Sequence, residues 1–360
     1  MGWRILTGRG VNTPPHSYHT RDFMSSIELI LRKINAFLEK GMSIITPSGI
    51  VIGLLLGNHI SFLKPLVIYL FAFISLVGGF GVSIPDFFKV IRKPLPIFLF
   101  LLSSYFLFPS LVWISMHLWF PSQPDTMLGF FLLCSVPTAV VSYVWSSIYK
   151  GEAALSLTLL IIGTVLSPLC TPLIMRILSG SGVDFNVTGM VFSLFKMVLL
   201  PSALGILINQ VTQHRVNDHV TPCLKPFTKV AIFVLMAINA SQLSESFFST
   251  ISLSLLPIII GCLLFTFVGF LLARLLAHIS KLNREQSISL MFASGLRNIN
   301  AALVLAIDFF SPAVAIPVML GIFFQQIMSA VSATILLGKE KKAIHQKQGV
   351  SSQHSPNTNT

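Results

Sequence analysis

Two hydrophobic segments of this chain, 127–149 and 286–307, are each interrupted halfway. The first breaks at Pro137-Thr138-Ala139-Val140-Val141-Ser142 and the second at Ser294-Gly295-Leu296-Arg297-Asn298. Non-helical backbone at bilayer depth persists only where protein or a water-filled cavity satisfies its N–H and C=O groups. In transporters built from repeated halves, such matched interruptions mark the binding site. The pair predicts an all-α membrane protein whose two broken helices meet near the middle of the membrane.

Apolar stretches of about 20 residues, each long enough to cross a hydrocarbon core, recur from residue 43 to residue 337. Charged residues make up 10% of the chain and mean hydropathy is +0.82, against roughly 25% charged in soluble domains. The net charge of +12 does not indicate nucleic-acid binding, because the basic residues sit in short loops and at the two ends, where the positive-inside rule places them. Cys134, Cys170 and Cys262 lie in apolar segments and Cys223 in a basic loop. Without CxxC spacing they read as small buried hydrophobes.

Ten spans are predicted: 43–58, 64–84, 94–119, 127–149, 152–178, 189–211, 226–244, 248–277, 286–307 and 313–337. With the N-terminus inside, the inner loops hold Lys89, Arg92 and Lys93, then Lys150, then Arg215, Lys225 and Lys229, then Arg274, Lys281 and Arg284. The outer loops hold Lys64 and Arg176. This alternation puts both termini in the cytoplasm. The chain divides into residues 1–41, a polar segment with an amphipathic lead-in from 25, then a transporter domain at 42–338, then a polar, disordered tail at 339–360. Residues 1–23 contain no h-region and read either as a transit peptide or as a stretch preceding a start at Met24.

A faint repeat accompanies the breaks. Pro47-Ser48 followed by Gly53 resembles Pro201-Ser202 followed by Gly205, and the offset of the two proline-serine pairs carries Ser142 into the second break. Each unit holds five spans, an odd number, so the second unit must insert upside down.

Arg297 is the strongest candidate for function. A charge at this depth is costly, so it either faces a cavity, holding an anionic substrate or replacing a bound cation, or is tied to helix-end carbonyls as a staple. At the first break, Pro137 donates no hydrogen bond, which leaves carbonyls exposed beside the hydroxyls of Thr138 and Ser142. Asn298, Asn300, Gln325 and Gln326 could line a cavity or bind neighbouring helices. Lys196 reads as snorkelling and His117 as part of an interfacial belt. HExxH, GxSxG and P-loop signatures are absent from the sequence, so neither a hydrolase nor an ATP-driven pump is indicated.

Pro137 to Tyr143, with Tyr149-Lys150-Gly151-Glu152-Ala153-Ala154-Leu155-Ser156, resembles the fourth and fifth helices of the bile acid:sodium symporter family. Ser294 to Asn298 resembles that family's break in the ninth helix. The resemblance covers about residues 40–338. It implies two inverted five-helix repeats. Helices 3–5 and 8–10 would form a core with broken helices 4 and 9 crossing, and helices 1, 2, 6 and 7 a panel. It also implies transport of organic anions with sodium by alternating access. The implied substrate and ion residues are Thr138, Ser142, Tyr143, Ser156, Ser294, Gly295, Arg297, Asn298 and Asn300, with Ser142 and Ser156 as remaining sodium ligands.

The chain departs from the family's ion pattern. Ser-Asn becomes Ser142-Tyr143, and Ser and Thr one turn apart become Ser156 and Leu160. The Glu and Gln that flank the glycine of the ninth-helix break become Ala293 and Arg297, and a third-helix Gln falls on Ser104. The expected function is therefore a secondary transporter of a small organic anion, bile-acid-like or a small carboxylate, with Arg297 as a built-in cation. It would need no cofactor, and sodium coupling is doubtful. The expected setting is a bacterial cell membrane, with a plastid envelope as the alternative. A cation/proton exchanger of related fold and a non-transporting membrane sensor are the competing readings.

Overall fold

The computed structural model describes residues 16–82, 84, 94–180, 182–250 and 255–351. The loop charges Lys89, Arg92 and Lys93, residues 1–15 of the polar start and residues 352–360 of the tail lie outside the described residues.

The described residues form helices. They are α1 (His16–Leu56), α2 (Leu66–Phe80), α3 (Pro94–Trp119), α4 (Pro124–Ser135), α5 (Val141–Ile148) and α6 (Ala153–Ser179), then α7 (Val187–Val211), α8 (Val216–Ser241), α9 (Leu255–Ile279), α10 (Arg284–Gly295), α11 (Ile299–Phe309) and α12 (Pro312–Ser351). Short helical turns at Asn58–Ser61 and Ser244–Thr250 join the longer elements. Six helices, α3, α6, α7, α8, α9 and the Pro312–Gly338 part of α12, are long and apolar enough to cross a membrane. Pro47–Leu56, α2, α4 and α11 are shorter apolar helices. The amphipathic lead-in and the first apolar run are one continuous helix, α1. Helix α12 likewise runs past the apolar segment to Ser351, into the stretch read from sequence as a disordered tail; Lys and Gln, which recur in that stretch, are good helix formers.

Each sequence break is a real helix break. Helix α4 stops at Ser135 and α5 starts at Val141; α10 stops at Gly295 and α11 starts at Ile299. At the first break Val136 is extended (φ −68°, ψ 155°), as a residue before proline must be. At the second, Asn298 caps α11 by accepting from the Ala301 N–H through Oδ1.

The helices pack in two groups. Helices α1, α2, α7 and α8 pack on one another, and α3 to α6 pack with α9 to α12. The first group closes through small residues. A Cβ on Gly53 would lie 2.1 Å from the Ala237 carbonyl oxygen of α8, and one on Gly205 of α7 would lie 2.2 Å from the Leu76 carbonyl oxygen of α2. Backbones that approach this closely need glycine. In the second group Ser287 to Gly295 and Ala301 to Ala306 are all buried, so α10 and α11 are closely enclosed, whereas α5 buries only Ser142 and Ser146. Large apolar residues of α3, α6 and α7, among them Leu118, Leu169, Ile177 and Leu207, are exposed on the outside, as a lipid-facing surface requires.

A Gly53→Val substitution should force α1 away from α8 and cost about 1–3 kcal/mol. A lowered melting temperature of the detergent-purified protein would report it; an unchanged one would contradict the close contact.

Candidate functional site

The two breaks cross and pair. The Ala139 N–H donates to Leu296 O at 2.9 Å, and the Asn298 N–H donates to Pro137 O at 2.7 Å. Thr138 and Arg297 thereby form a one-residue antiparallel bridge. Main-chain groups that neither helix can satisfy are satisfied by the other break, as a lipid setting demands. Thr138 Oγ1 adds a bond to Ala293 O at 2.7 Å. The open row of carbonyls expected at Pro137 to Ser142 is thus largely consumed: Pro137 O is held by Asn298, Val136 O by Arg297, and Ala139 O by the Ser142 N–H.

Helix α12 completes the crossing. The Arg297 N–H donates to Gln325 Oε1 at 3.0 Å, and Gln325 Nε2 donates to Arg297 O at 3.0 Å. A side-chain amide here does the work of a third strand. Gln326 faces elsewhere and accepts from Trp145 Nε1 at 3.3 Å.

The Arg297 side chain is 3% exposed. Its Nη1 donates to Val136 O at 3.4 Å and its Nη2 to Ser104 O at 3.1 Å. The guanidinium carbon lies 5.5 Å from the centre of the Phe108 ring, within cation–π range. Nε has no partner. The availability of Ser104 O follows from sequence. Residues Leu102–Leu107 of α3 are π-helical, and the Phe108 N–H donates five residues back to Ser103 O. The next bond in that register would come from residue 109, which is proline and has no N–H. Ser104 O is therefore left over by its own helix and is taken by Arg297.

Other predicted residues divide into engaged and available. The Ser294 and Ser103 hydroxyls are 2.9 Å apart. Gly295 is fixed by packing, since a Cβ there would lie 2.3 Å from the Phe270 ring. Ser156 joins Ser146 (2.7 Å) and Ser289 (2.9 Å) in a buried hydroxyl ring above Glu152 O. Ser142, the partner expected for Ser156, is not in that ring; it is buried and its hydroxyl has no partner. Tyr143 and Asn300, in the first turns of α5 and α11, are half-buried. Asp308 pairs with Lys64 at 3.2 Å and not with Arg297. Lys196 is exposed, and His117 rests on Trp113 with ring centres 4.3 Å apart. The Val136 and Ser104 carbonyls, Phe108, Ser289 and the clamping role of Gln325 escaped sequence reasoning. Pro109, five residues after Ser104, was the available signal for the Ser104 carbonyl.

Replacing Gln325 by Leu strands the buried Arg297 N–H, at a cost of roughly 1–3 kcal/mol, while Arg297 O keeps its bond from the Ile299 N–H. Thermal unfolding should show a larger loss for Gln325→Leu than for Gln326→Leu, which gives up one long bond. Equal losses would remove Gln325 from the crossing.

Residues 67–250 match the Sodium Bile acid symporter family. An uncharacterized protein of Bacillus subtilis, YbaS, is 35% identical over 306 residues, 85% of this chain and 100% of its own. A probable chloroplastic sodium/metabolite cotransporter of rice, BASS3, is 30% identical over 254 residues, 68% of this chain and 57% of its own. An uncharacterized sodium-dependent transporter of Bacillus subtilis, YocS, is 24% identical over 317 residues, 87% of this chain and 96% of its own.

Proposed function

The chain belongs to the sodium bile acid symporter family, a family of transporters and not of enzymes, and on that premise we propose that it carries a small organic anion across a bacterial cell membrane by alternating access, with Arg297 as a fixed internal cation in place of bound sodium. The observation that carries this is the buried guanidinium held by backbone carbonyls of α3 and α4, with no other charged residue fully buried among the described residues.

Helices α4 and α10 bring their C-terminal, partly negative ends to the crossing, and α5 and α11 bring their N-terminal, partly positive ends. The guanidinium neutralises the first pair. The second pair remains to favour an anion, with Ser142, Tyr143 and Asn300 in their first turns. At an effective dielectric constant of about 20, one unpaired charge favours an anion roughly 10 Å away by about 1.5 kcal/mol. Sodium fits poorly. The family's Glu position is Ala293, and Ser156 has both neighbours in its hydroxyl ring. The Gln position carries a charge of the same sign as sodium, already bound to oxygens. A proton-coupled exchanger would need a buried acid, and none stands among the described residues.

Ten crossings in two inverted five-helix repeats are the arrangement these features favour. The packing of α1 on α8 is matched by that of α7 on α2, with Gly53 and Gly205 at the two contacts. The breaks pair as equals through Thr138 and Arg297. The loop charges favour both ends in the cytoplasm.

Proteoliposome uptake of labelled taurocholate, pantoate and isocaproate, with sodium or potassium outside, tests the proposal. At least one anion should enter at equal rates in the two salts, and Arg297→Gln should lower that rate tenfold or more. Arg297→Lys should not restore it, because an ammonium cannot span two carbonyls as the planar fork does. Strong sodium stimulation, or near-normal uptake by Arg297→Gln, would overturn the internal-cation reading.

A further inference from the structure

The turn between α7 and α8 carries an open cavity of about 590 Å³, remote in sequence from both breaks. Val211 at the end of α7 and Val216 and Val220 at the start of α8 form its apolar lining, and Gln213, Arg215 and His219 its polar lining. The turn that shapes it is firmly tied. Gln213 and His214 adopt left-handed φ of 52° and 68°, and the His214 N–H donates to Asn209 O at 2.9 Å. The buried Asn209 amide in turn donates through Nδ2 to Val82 O, beyond the end of α2, at 3.0 Å and lies 3.1 Å from His214 Nδ1. Two features set the chemistry of the cavity. Arg215 makes no hydrogen bond or ion pair with another described residue, and Asp218, the only acid in α7, the turn and α8, does not line the cavity. Val211 is 74% exposed and ends a stripe of exposed Leu200, Leu204 and Leu207 on α7, whose spacing of three and four residues puts them on one helix face. That stripe belongs to the lipid-facing surface, so the acyl region of the bilayer runs directly into the apolar wall of the cavity.

We propose that this cavity holds the headgroup of an anionic phospholipid. The phosphodiester accepts from the Arg215 guanidinium, whose planar fork can meet two phosphate oxygens at once, and from the His219 N–H. The glycerol packs on Val216 and Val220, and an acyl chain follows Val211, Leu207, Leu204 and Leu200 up α7. The volume lies within the range of about 300 to 1,000 Å³ usual for small-molecule sites, which is room for a headgroup and its glycerol while the chains stay in the membrane. An anionic headgroup is preferred over a zwitterionic one, because a choline or ethanolamine cation would stand beside Arg215 with no acid in the lining to offset it. Basic pockets on the cytoplasmic side of membrane proteins take such headgroups. The loop charges favour that side for this turn, so the lipid comes from the inner leaflet. Helices α7 and α8 both belong to the group without the breaks, and the bound lipid anchors that group in the leaflet. The site rests on the proposed orientation for its leaflet only, and not on transport.

Native mass spectrometry of the full chain in detergent, titrated with dioleoylphosphatidylglycerol, dioleoylphosphatidylcholine or sn-glycerol 3-phosphate, provides the test. Phosphatidylglycerol should bind at least fivefold more tightly than either of the others. Arg215→Gln should weaken it at least fivefold, and so should Val220→Trp, which crowds the cavity and leaves Arg215 in place. Lys150→Gln, which removes an exposed charge from another inner loop, should change it less than twofold. All three variants are first checked for a monodisperse, wild-type-like elution profile. No retention of phosphatidylglycerol, equal binding of phosphatidylcholine, or binding untouched by Arg215→Gln and Val220→Trp would overturn the site. A loss in Lys150→Gln equal to that in Arg215→Gln would overturn it too, by assigning the lipid to the general basic field of the inner face. Glycerol 3-phosphate bound as tightly as the lipid would replace the phospholipid by a soluble phosphate and overturn the proposal. The expected pattern in a protein that moves no anion would uphold the site and leave only the transport reading to fall.

Discussion

The crossing of two broken helices depends on one residue satisfying main chain and side chain at once. Arg297 pairs its backbone with Gln325, lies opposite Thr138 in the bridge, and sends its guanidinium to Val136 O and Ser104 O. In hydrocarbon each unpaired peptide group costs several kcal/mol, so a chain that abandons helical hydrogen bonding twice at mid-depth needs substitutes for every lost bond. Three elements supply them. The opposite break provides main-chain partners, α12 provides an amide that imitates a strand, and the arginine reaches carbonyls that its neighbours cannot use.

The arginine is tolerable for the same reason. A buried guanidinium without a carboxylate is normally prohibitive, yet here it meets the negative ends of interrupted helices and a carbonyl released by a π-helical segment that runs into Pro109. The proline and the arginine are two halves of one device: the first exposes an acceptor, the second occupies it. The face of Phe108 covers the guanidinium. A cation fixed covalently to the chain cannot leave, and this separates such a crossing from one closed by a mobile ion.

The grouping of helices gives the crossing its surroundings. Helices α1, α2, α7 and α8 contact one another through glycines at backbone distance, while the group holding the breaks is packed with large side chains such as Phe130, Phe131, Phe270 and Phe292. Between the groups α7 packs on α6, the buried apolar core runs across, and a cavity and an ion pair lie to one side.

The sequence alone determined that this is a helical membrane protein and where its helices break to within a few residues, because hydropathy and proline act locally; Val141, Ser142, Ser294 and Gly295, read as parts of the breaks, are the helix ends beside them. Spans such as 94–119 and 152–178 coincide with α3 and α6 to within a residue. Sequence also singled out Arg297, since a charge in an apolar run is conspicuous wherever it points, and it gave the family through Pro137 to Ser156 and Ser294 to Asn298. What the arginine does was decided by tertiary structure. Its partners lie 161 and 193 residues away, and no periodicity encodes such distances. The same holds for Gln325, whose two bonds to Arg297 depend on how α12 packs, and for Ser142 and Ser156, which share a neighbourhood in sequence yet part company because Ser146 and Ser289 claim one of them. Local chemistry fixed the elements and their interruptions; only the crossing in three dimensions assigned each left-over donor and acceptor its partner.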